Sequence, residues 1–263
     1  MAKIRLIASD VDGTLLPEGT PHLNKEYYDV IRKLHAEGIT FVAASGRQYA
    51  SLHGVFSPVD NEIIYVADNG SHCVKAGETV LCLEIERRAY EETVKYARNL
   101  ENVFTLISTP QGTYTECKDS EMVRWIREGY RIDLVMVEDL LEISLPVLKL
   151  AIYNHLGDAL ELAGPMEQLF GDRVSIMVSG DHWVDIIAKN ADKGAALREI
   201  QSKLGVTPEE TMAFGDNGND VPLLLQAAES YCVATGREQA KAAAKYVLPN
   251  EEDAVLKVLK SLL

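Results

Sequence analysis

The chain has 263 residues, with 26 Lys and Arg against 40 Asp and Glu, so its formal net charge is −14. An acidic surplus of this size argues against nucleic acid as the main partner, because phosphate backbones select basic surfaces. No apolar run reaches the roughly 18 residues that a membrane span requires, and no signal peptide begins the chain, so we expect a cytoplasmic protein without a membrane partner.

The first part of the chain alternates apolar strands with an amphipathic helix. Apolar runs of strand length occupy residues 3–9, 39–45 and 63–67, each followed by a turn rich in Asp, Asn or Gly. Asn24 is a candidate N-cap for a helix after the first strand. The apolar face of that helix carries Tyr27, Val30, Ile31 and Leu34. Continuous apolar strands between amphipathic helices predict a parallel sheet that is covered on both faces.

The middle of the chain follows a different pattern, with more amphipathic strands that are partly paired. The segments FTLIS and TYTEC flank a hairpin-like turn at residues 109–112. Helices are predicted at about 87–99, 119–130 and 157–170. Further strands are predicted in VLKLAIY, VSIMVS and HWVDIIA. We interpret residues 81–187 as a second, α+β domain.

The pattern of the first part returns near the end of the chain. Strands are predicted at 211–215 and 231–234, and a last helix carries Val255, Val258, Leu259 and Leu262 on one face. The expected fold class is therefore α/β: a parallel-sheet core with helices on both faces, made of residues 1–80 and 188–263, with the α+β domain inserted into it.

Polar side chains follow several of the predicted core strands. Ligands of open α/β sheets bind at the carboxyl ends of the strands, where these side chains would meet. They are Asp10, Asp12, Ser45, Asp216, Asn219 and Asp220, with Lys193 at the start of the helix after the inserted domain. Several carboxylates in close quarters repel one another, which implies a cation. With oxygen donors and no His or Cys at these positions, Mg²⁺ is favoured over zinc or copper.

Each of these motifs, taken alone, also has an ordinary structural explanation. The DVDGT segment at residues 10–14 forms a tight turn and helix cap in many proteins, and Ser45-Gly46 is a common turn or N-cap. Lys193 could be a solvated helix residue, and the segment 215–220 could serve only as a turn. A calcium-binding loop, a Walker A motif and a dinucleotide GxGxxG motif are all absent from the sequence.

The order and placement of the motifs resemble those of the haloacid dehalogenase superfamily, in its Cof-like hydrolase branch. The matching segments are residues 10–14, 45–47, 193–194 and 215–220, with 68–70 like the asparagine–glycine turn of the family and 185–187 like its strand leading back into the core. The similarity covers nearly the whole chain. One departure is the segment 234–237 (ATGR), where relatives usually have a Met-Gly-Asn-Ala-like turn.

The resemblance implies a Rossmann-like core with a cap domain and a Mg²⁺-dependent phosphatase. Such an enzyme hydrolyses small phosphate monoesters, usually sugar phosphates in this branch, through an aspartyl-phosphate. The implied catalytic residues are Asp10 as nucleophile, Asp12 as acid and base, and Lys193. The implied phosphate-binding residues are Ser45, Gly46, Lys193 and Asn219. The implied Mg²⁺ ligands are Asp10, Asp216 and the backbone carbonyl of Asp12. The implied supporting residues are Thr14, Arg47 and Asp220.

The inserted domain is expected to act as a cap that closes over a small-molecule phosphate ester and selects its leaving group. Candidate side chains for this selection are Glu116, Lys118, Lys149 and Trp183, although a surface or core role is the default expectation for each of them. Three alternatives stay open: a receiver-type phosphoacceptor, a phosphomutase on the same scaffold and a non-catalytic phosphate-ligand-binding protein. The sequence leaves the oligomeric state open between monomer and dimer.

Overall fold

The computed structural model describes residues 3–16, 22–130, 132–179 and 181–263. Contacts divide the chain into two compact units: unit 1 comprises Met1–Leu81 and Asp192–Leu263, and unit 2 is Cys82–Ala191. The junctions expected from the sequence lie one residue and four residues earlier. The larger difference arises because the last strand of unit 2 continues to Ala188, and the Ala191 N–H donates back to the Ala188 carbonyl oxygen at 2.9 Å.

Unit 1 is built on an eight-stranded sheet. With strands numbered along the whole chain, they are β1 (Leu6–Asp10), β2 (Thr40–Ala44), β3 (Ile63–Ala67), β4 (His72–Lys75), β5 (Glu78–Cys82), β12 (Thr211–Gly215), β13 (Glu229–Cys232) and β14 (Tyr246–Val247). Their order is β14-β13-β12-β1-β2-β3-β4-β5. The pairs from β14 to β3 are parallel, whereas β4 runs antiparallel to β3.

Helices cover both faces of this sheet. They are α1 (Glu26–Ala36), α2 (Tyr49–Phe56), α6 (Lys193–Leu204), α7 (Val221–Leu224), α8 (Glu238–Ala243) and α9 (Ala254–Lys260). The apolar sides of α1, α2 and α9 pack with alternate strand residues such as Ile7 and Phe41. The intervening strand residues, such as Leu6 and Val42, pack with α6, α7 and α8. Burial on both faces explains why the central strands read as continuous apolar runs.

Unit 2 contains a six-stranded sheet in the order β10-β11-β9-β6-β7-β8. The strands are β6 (Val103–Thr109), β7 (Gly112–Thr115), β8 (Leu134–Met136), β9 (Lys149–Asn154), β10 (Val174–Val178) and β11 (Trp183–Ala188). The helices are α3 (Arg87–Ala97), α4 (Ser120–Tyr130) and α5 (Ala159–Phe170). One apolar cluster joins one face of the sheet to α3 and α5, and a smaller one joins the other face to α4.

Most predicted elements are present with shifted ends, and some details were wrong. Helix α1 begins at Glu26 with Lys25 in the cap position, although the Asn24 side chain still accepts a hydrogen bond from the Glu26 N–H at 3.1 Å. Strand β13 begins two residues before the predicted 231–234. The sequence analysis had no counterpart for α2, α7, α8, β4, β5, β8 and β14. In the described part of the chain, every helix is too short or too polar to cross a bilayer.

Candidate active site

The candidate residues of unit 1 gather where neighbouring parallel strands end. Asp10 is the last residue of β1, and Ser45 directly follows β2 on one side of it. Asp216 directly follows β12 on the other side. Because parallel strands end at the same edge of a sheet, these three side chains share one edge. Helix α6 contributes Lys193 as its first residue.

A buried lysine joins two of the carboxylates. The Lys193 Nζ atom donates hydrogen bonds to Asp10 Oδ1 and to Asp220 Oδ1, each at 2.6 Å. All three residues are at most 4% exposed. The second oxygen of Asp220 accepts the backbone N–H groups of Asp216 and Asn217, both at 3.0 Å. Both Asp220 oxygens are therefore engaged within the protein, so this residue orients Lys193 and the 216–217 backbone.

The charges of this cluster are unbalanced. Burial raises the pKa of Asp10 well above its ordinary value, and the nearby Asp220 charge adds to the rise, against the opposing effect of Lys193. Burial and Asp220 also raise the pKa of Asp216. For Lys193, burial alone would lower the pKa, but the charges of Asp10 and Asp220 outweigh it and raise the pKa. A single ammonium thus faces three carboxylates, which leaves an excess of negative charge.

The same carboxylates could hold a metal ion. One oxygen each from Asp10, Asp216 and Asp220 lie within 4.8 Å of one another. Among the described residues, the buried Asp10 Oδ2 atom has no hydrogen-bond donor. The Thr14 hydroxyl donates to Asp216 Oδ1 at 3.0 Å and fixes that carboxylate. A buried carboxylate oxygen without a donor, beside a second oriented carboxylate, is an arrangement that fits a divalent cation.

Gly13 allows the turn after β1 to approach Asp216 closely. Its φ is +87°, in the region that favours glycine, and a Cβ at this position would lie 2.5 Å from Asp216 Oδ2. The backbone of the turn is closed by hydrogen bonds from Leu15 and Leu16 to the Val11 carbonyl. The glycine of the DVDGT segment is therefore required both by its conformation and by the space that the Asp216 carboxylate occupies.

The Asp12 side chain belongs to a second group of contacts, with Arg47 and Ser45. The Arg47 guanidinium binds both Asp12 oxygens, at 2.5 and 2.8 Å, and the Ser45 hydroxyl donates to one of them at 3.3 Å. The hydrogen bond to Asp12 raises the pKa of Arg47. The sequence indicated Arg47 only as a supporting residue, without a partner. Its pairing with Asp12 gives that residue a definite contact within the candidate site.

A residue outside the predicted set also belongs to this region. The Asn219 amide donates to Asn69 Oδ1 at 3.0 Å, which joins the turn after β3 to the turn after β12. Asn69 is buried and has a positive φ of 55°. A Cβ on Gly46 would lie 3.1 Å from the same Asn69 oxygen, so the turn after β2 also packs here. The Asp68-Asn69-Gly70 motif was the sequence signal for this position.

All predicted site residues of unit 1 thus lie at one edge of its sheet, and the side-chain candidates in unit 2 have separate surroundings. Glu116 pairs with Arg98 at 2.7 Å, and Lys118 pairs with Glu138 at 2.9 Å on the surface. Lys149 lies 3.7 Å from Asp185, and both side chains are buried. Trp183 packs against the Tyr153 ring with centroids 4.9 Å apart.

The segment 234–237, where the sequence departs from the family pattern, supports the backbone of the site. The Arg237 N–H donates to the Asp216 carbonyl oxygen at 2.7 Å. Because this contact uses only main-chain atoms, the unusual side chains of segment 234–237 do not prevent it from holding Asp216 in place.

Comparisons with known proteins identify the family. Residues 7–259 match the model of the haloacid dehalogenase-like hydrolases. The chain belongs to this family. It is 29% identical over 263 residues to 5-amino-6-(5-phospho-D-ribitylamino)uracil phosphatase YbjI of Escherichia coli (strain K12), with 99% of this chain and 96% of YbjI covered. As a member of the haloacid dehalogenase-like family whose named relatives include phosphatases, the chain is a phosphoric monoester hydrolase.

Solved structures of the family share the whole fold. A crystal structure from Eubacterium rectale has a TM-score of 0.90 and 31% identity, with 99% of both chains covered. The haloacid dehalogenase subclass IIB sugar phosphatase BT4131 has a TM-score of 0.83 and 24% identity, covering 98% of this chain and all of that one. The α/β fold class predicted from the sequence is confirmed by these matches.

Proposed function

We propose that this haloacid dehalogenase-like enzyme is a Mg²⁺-dependent phosphatase that acts on small phosphate monoesters, with sugar phosphates as its main class, through an aspartyl-phosphate intermediate. The observation that carries this proposal is the Asp10 carboxylate. One of its oxygens is held by Lys193, the other is buried without a donor among the described residues, and the carboxylate lies near that of Asp216. This is the arrangement that a nucleophile sharing its carboxylate with a cation requires.

The donor set favours Mg²⁺ as the cation. Asp10 and Asp216 offer carboxylate oxygens, and the Asp12 carbonyl is the proposed third protein ligand. Hard oxygen donors of this kind suit Mg²⁺, which usually binds proteins through one or two carboxylates and keeps several waters. When bound, the cation would supply charge neutralisation to the carboxylates and to the phosphoryl oxygens.

In the proposed reaction, an Asp10 oxygen attacks phosphorus in line and the ester oxygen leaves. Asp12 gives the leaving oxygen a proton and later takes one from the water that cleaves the aspartyl-phosphate. Splitting the hydrolysis into two displacements is the usual gain from covalent catalysis. The Ser45 hydroxyl and the Gly46 N–H, together with Lys193 and Asn219, stabilise the phosphoryl charge. Thr14, Arg47 and Asp220 support this set by orienting Asp216, Asp12 and Lys193 respectively.

We assign substrate selection to unit 2, as a cap domain, in keeping with its position as an insertion between the two segments of unit 1. YbjI is named for a phosphate ester of a ribityl-substituted uracil, and BT4131 is described as a sugar phosphatase. These names support small organic phosphates, sugar phosphates among them, as the first compounds to assay.

Phosphate release from an aryl phosphate, measured with Mg²⁺ and with a chelator, tests the proposal. We expect chelator-sensitive turnover by the wild type and its loss in Asp10→Asn. In a single-turnover acid quench with labelled substrate, label should remain on the wild-type protein and not on Asp10→Asn. Asp29→Asn, on the surface of α1, is the matched control and should behave as the wild type.

Two results would overturn the proposal. Turnover by Asp10→Asn at the wild-type rate would contradict the assignment of Asp10 as the nucleophile. Transfer of the phosphoryl group back to the product, without release of inorganic phosphate, would instead indicate a phosphomutase.

A further inference from the structure

The turn after β3, residues 68–70, has a backbone conformation that few side chains adopt. All three residues have a positive φ, which is 48° at Asp68, 55° at Asn69 and 102° at Gly70. Two of the three are not glycine, and both of these are buried, at 1% and 2% exposed. Backbone strain of this kind persists only where surrounding contacts hold it, and it is concentrated at functional sites. The role of this turn follows from what it contacts.

The turn contacts three segments that each supply a proposed phosphate-binding group. The Asn69 N–H donates to the Ser45 carbonyl oxygen at 3.1 Å, which fixes Asn69 against the turn after β2. A Cβ on Gly70 would overlap the Asp192 carbonyl oxygen, so the turn also packs against the start of α6. The Asn69 Oδ1 atom accepts a hydrogen bond from the Asn219 amide at 3.0 Å. The turn after β3 thus lies between all three segments.

The backbone conformation alone does not require the side chain of Asn69. Glycine adopts a positive φ more readily than any other residue, so it would serve a turn that needed only this conformation. Burial of an amide is costly unless its polar atoms form hydrogen bonds. The side chain of Asn69 is therefore kept for its contacts, and one of these is the hydrogen bond with Asn219.

This hydrogen bond determines which end of the Asn219 amide is available to a ligand. A side-chain amide has a donor end with two N–H groups and an acceptor end with a carbonyl oxygen. Asn69 Oδ1 accepts one of the two N–H groups, which leaves the second on the same nitrogen as a donor. Without this acceptor, the amide could rotate by half a turn and present its oxygen instead. The charged oxygens of a phosphoryl group accept hydrogen bonds, so they require the donor end.

We propose that Asn69 is a positioning residue that keeps the donor end of the Asn219 amide directed to the phosphoryl group. This inference rests on the proposed function, in which Asn219 binds phosphate, and deepens it. Because the main chain of Asn69 is bound to Ser45, Asn69 also sets the position of the Asn219 donor relative to the turn after β2. Asn69 acts on the reaction through Asn219, without touching the substrate.

A purely structural role for Asn69 would have a different consequence. If its side chain served only to hold the turn after β12 in place, its loss would displace Asp216 together with Asn219. The backbone N–H groups of Asp216 and Asn217, however, are held separately by Asp220 Oδ2, both at 3.0 Å. Loss of the Asn69 side chain should therefore change the binding of the phosphoryl group and leave the response to Mg²⁺ intact.

The test measures kcat, KM and the Mg²⁺ concentration for half-maximal activity in the full-length enzyme, with an aryl phosphate. For Asn69→Gly, which suits the backbone and removes only the side chain, we expect kcat/KM to fall about 10-fold, as when one hydrogen bond to a charged group is lost. KM should rise more than kcat falls, because Asn219 would bind the phosphoryl group before and during reaction. Asn102→Gly is the matched control, because Asn102 is exposed and has a φ of 57°, and it should behave as the wild type.

A double-mutant cycle with Asn219→Ala shows whether Asn69 acts through Asn219. Adding Asn69→Gly to Asn219→Ala should lower kcat/KM by less than about twofold, because the group that Asn69 orients is already absent. If the two single effects multiply in full, the inference is overturned. Wild-type kinetics in Asn69→Gly would also overturn it, while the proposed function stands.

The melting temperature supplies a readout that is independent of activity. For Asn69→Gly it should fall by no more than about 6 °C, because the loss of one hydrogen bond is partly offset by relief of backbone strain. An unfolded variant, or a Mg²⁺ requirement that rises by the same factor as kcat/KM falls, would assign Asn69 to structure alone and overturn the inference. Absence of Mg²⁺-dependent turnover of aryl and sugar phosphates by the wild type would instead overturn the proposed function, and this inference with it.

Discussion

At the scale of single residues, Lys193 supplies the positive charge that balances the buried carboxylates of Asp10 and Asp220. It is the ammonium between Asp10 and Asp220, and all three side chains are buried. Removing one member of a buried ionic group leaves the others without compensation, which costs far more than the net stability the pair supplies. The residue should therefore affect both stability and catalysis.

For Lys193→Ala we expect turnover to fall by roughly 10²–10³, the effect of losing one charge contact to a transition state. The free energy of unfolding should fall by about 3–5 kcal/mol, because two buried carboxylates lose their shared partner. Steady-state assays and denaturant unfolding measure the two effects. Lys203→Ala, on the exposed side of the same helix, is the control and should keep wild-type turnover. An unchanged rate in Lys193→Ala would contradict a role for Lys193 in the reaction.

The raised pKa values of Asp10 and Asp216 predict a pH-dependent effect of Mg²⁺. The folded protein without metal retains protons on these groups that the unfolded chain releases. Their contribution to stability is therefore full below the ordinary aspartate pKa of 3.8 and is lost as the pH rises through the raised folded values. Bound Mg²⁺ would offset the repulsion that appears over this range.

The gain in melting temperature on adding Mg²⁺ should accordingly be larger at about pH 7.5 than at about pH 5. Thermal unfolding with Mg²⁺ and with a chelator, at both pH values, measures this difference. Asp216→Asn should reduce the gain at the higher pH, whereas Asp29→Asn should keep it. An equal gain at both pH values would contradict the link to these two carboxylates.

Sequence reasoning was effective for the charged residues at strand ends. Asp10 and Asp216 each follow an apolar run directly, and parallel strands bring their ends to one edge. The Arg47–Asp12 contact was not predicted, because it depends on the direction of a long side chain and not on spacing along the chain. Asn69 was visible as a turn motif, but its contact with Asn219 joins two turns far apart in sequence.

At the scale of elements, the turn after β1 lies directly against the Asp216 carboxylate. Among the described residues of this turn, Gly13 alone has a positive φ. The Asp216 carboxylate occupies the space where a Gly13 side chain would lie. An added methyl group would strain the turn and displace the carboxylate. Its effect should therefore extend beyond stability to the metal.

For Gly13→Ala we expect the Mg²⁺ concentration that gives half-maximal activity to rise at least about tenfold. Disturbing the groups that orient a metal ligand typically lowers metal affinity by about 10- to 100-fold. The matched control is Gly38→Ala, where φ is +78° but no atom lies within 4 Å of the added Cβ. It should lose about 1–2 kcal/mol of stability from backbone strain and keep its Mg²⁺ response. Equal Mg²⁺ titrations for both variants would show that the contact with Asp216 has no functional effect.

The elements missed by the sequence analysis share weak patterns. Strand β5 is at best partly buried along its whole length, so it lacks the alternation that identifies a half-buried strand. Strand β8 has only three residues. Helix α2 buries only Leu52 and Phe56, too few to produce a clear helical period. By contrast, β3 and β12 are buried at every position and were predicted with correct ends.

At the scale of the whole molecule, the chain consists of two units with separate cores. Unit 2 is a single continuous segment, Cys82–Ala191, whereas unit 1 is made of two segments. The two apolar clusters of unit 2 consist entirely of residues from that segment. Each sheet is likewise complete within its own part of the chain apart from the last residue of β5. Folding of unit 2 should therefore not require the rest of the chain.

The segment 82–191, expressed alone, should form a folded domain that unfolds cooperatively, because it contains both layers of helices needed to cover its sheet. Circular dichroism with thermal unfolding and dispersed amide signals in NMR measure this. Met166→Ala, which removes a fully buried side chain between α5 and the sheet, should lower its stability by about 2–5 kcal/mol, whereas exposed Leu160→Ala should have little effect. A gradual, non-cooperative transition would mean that the fold of unit 2 depends on unit 1.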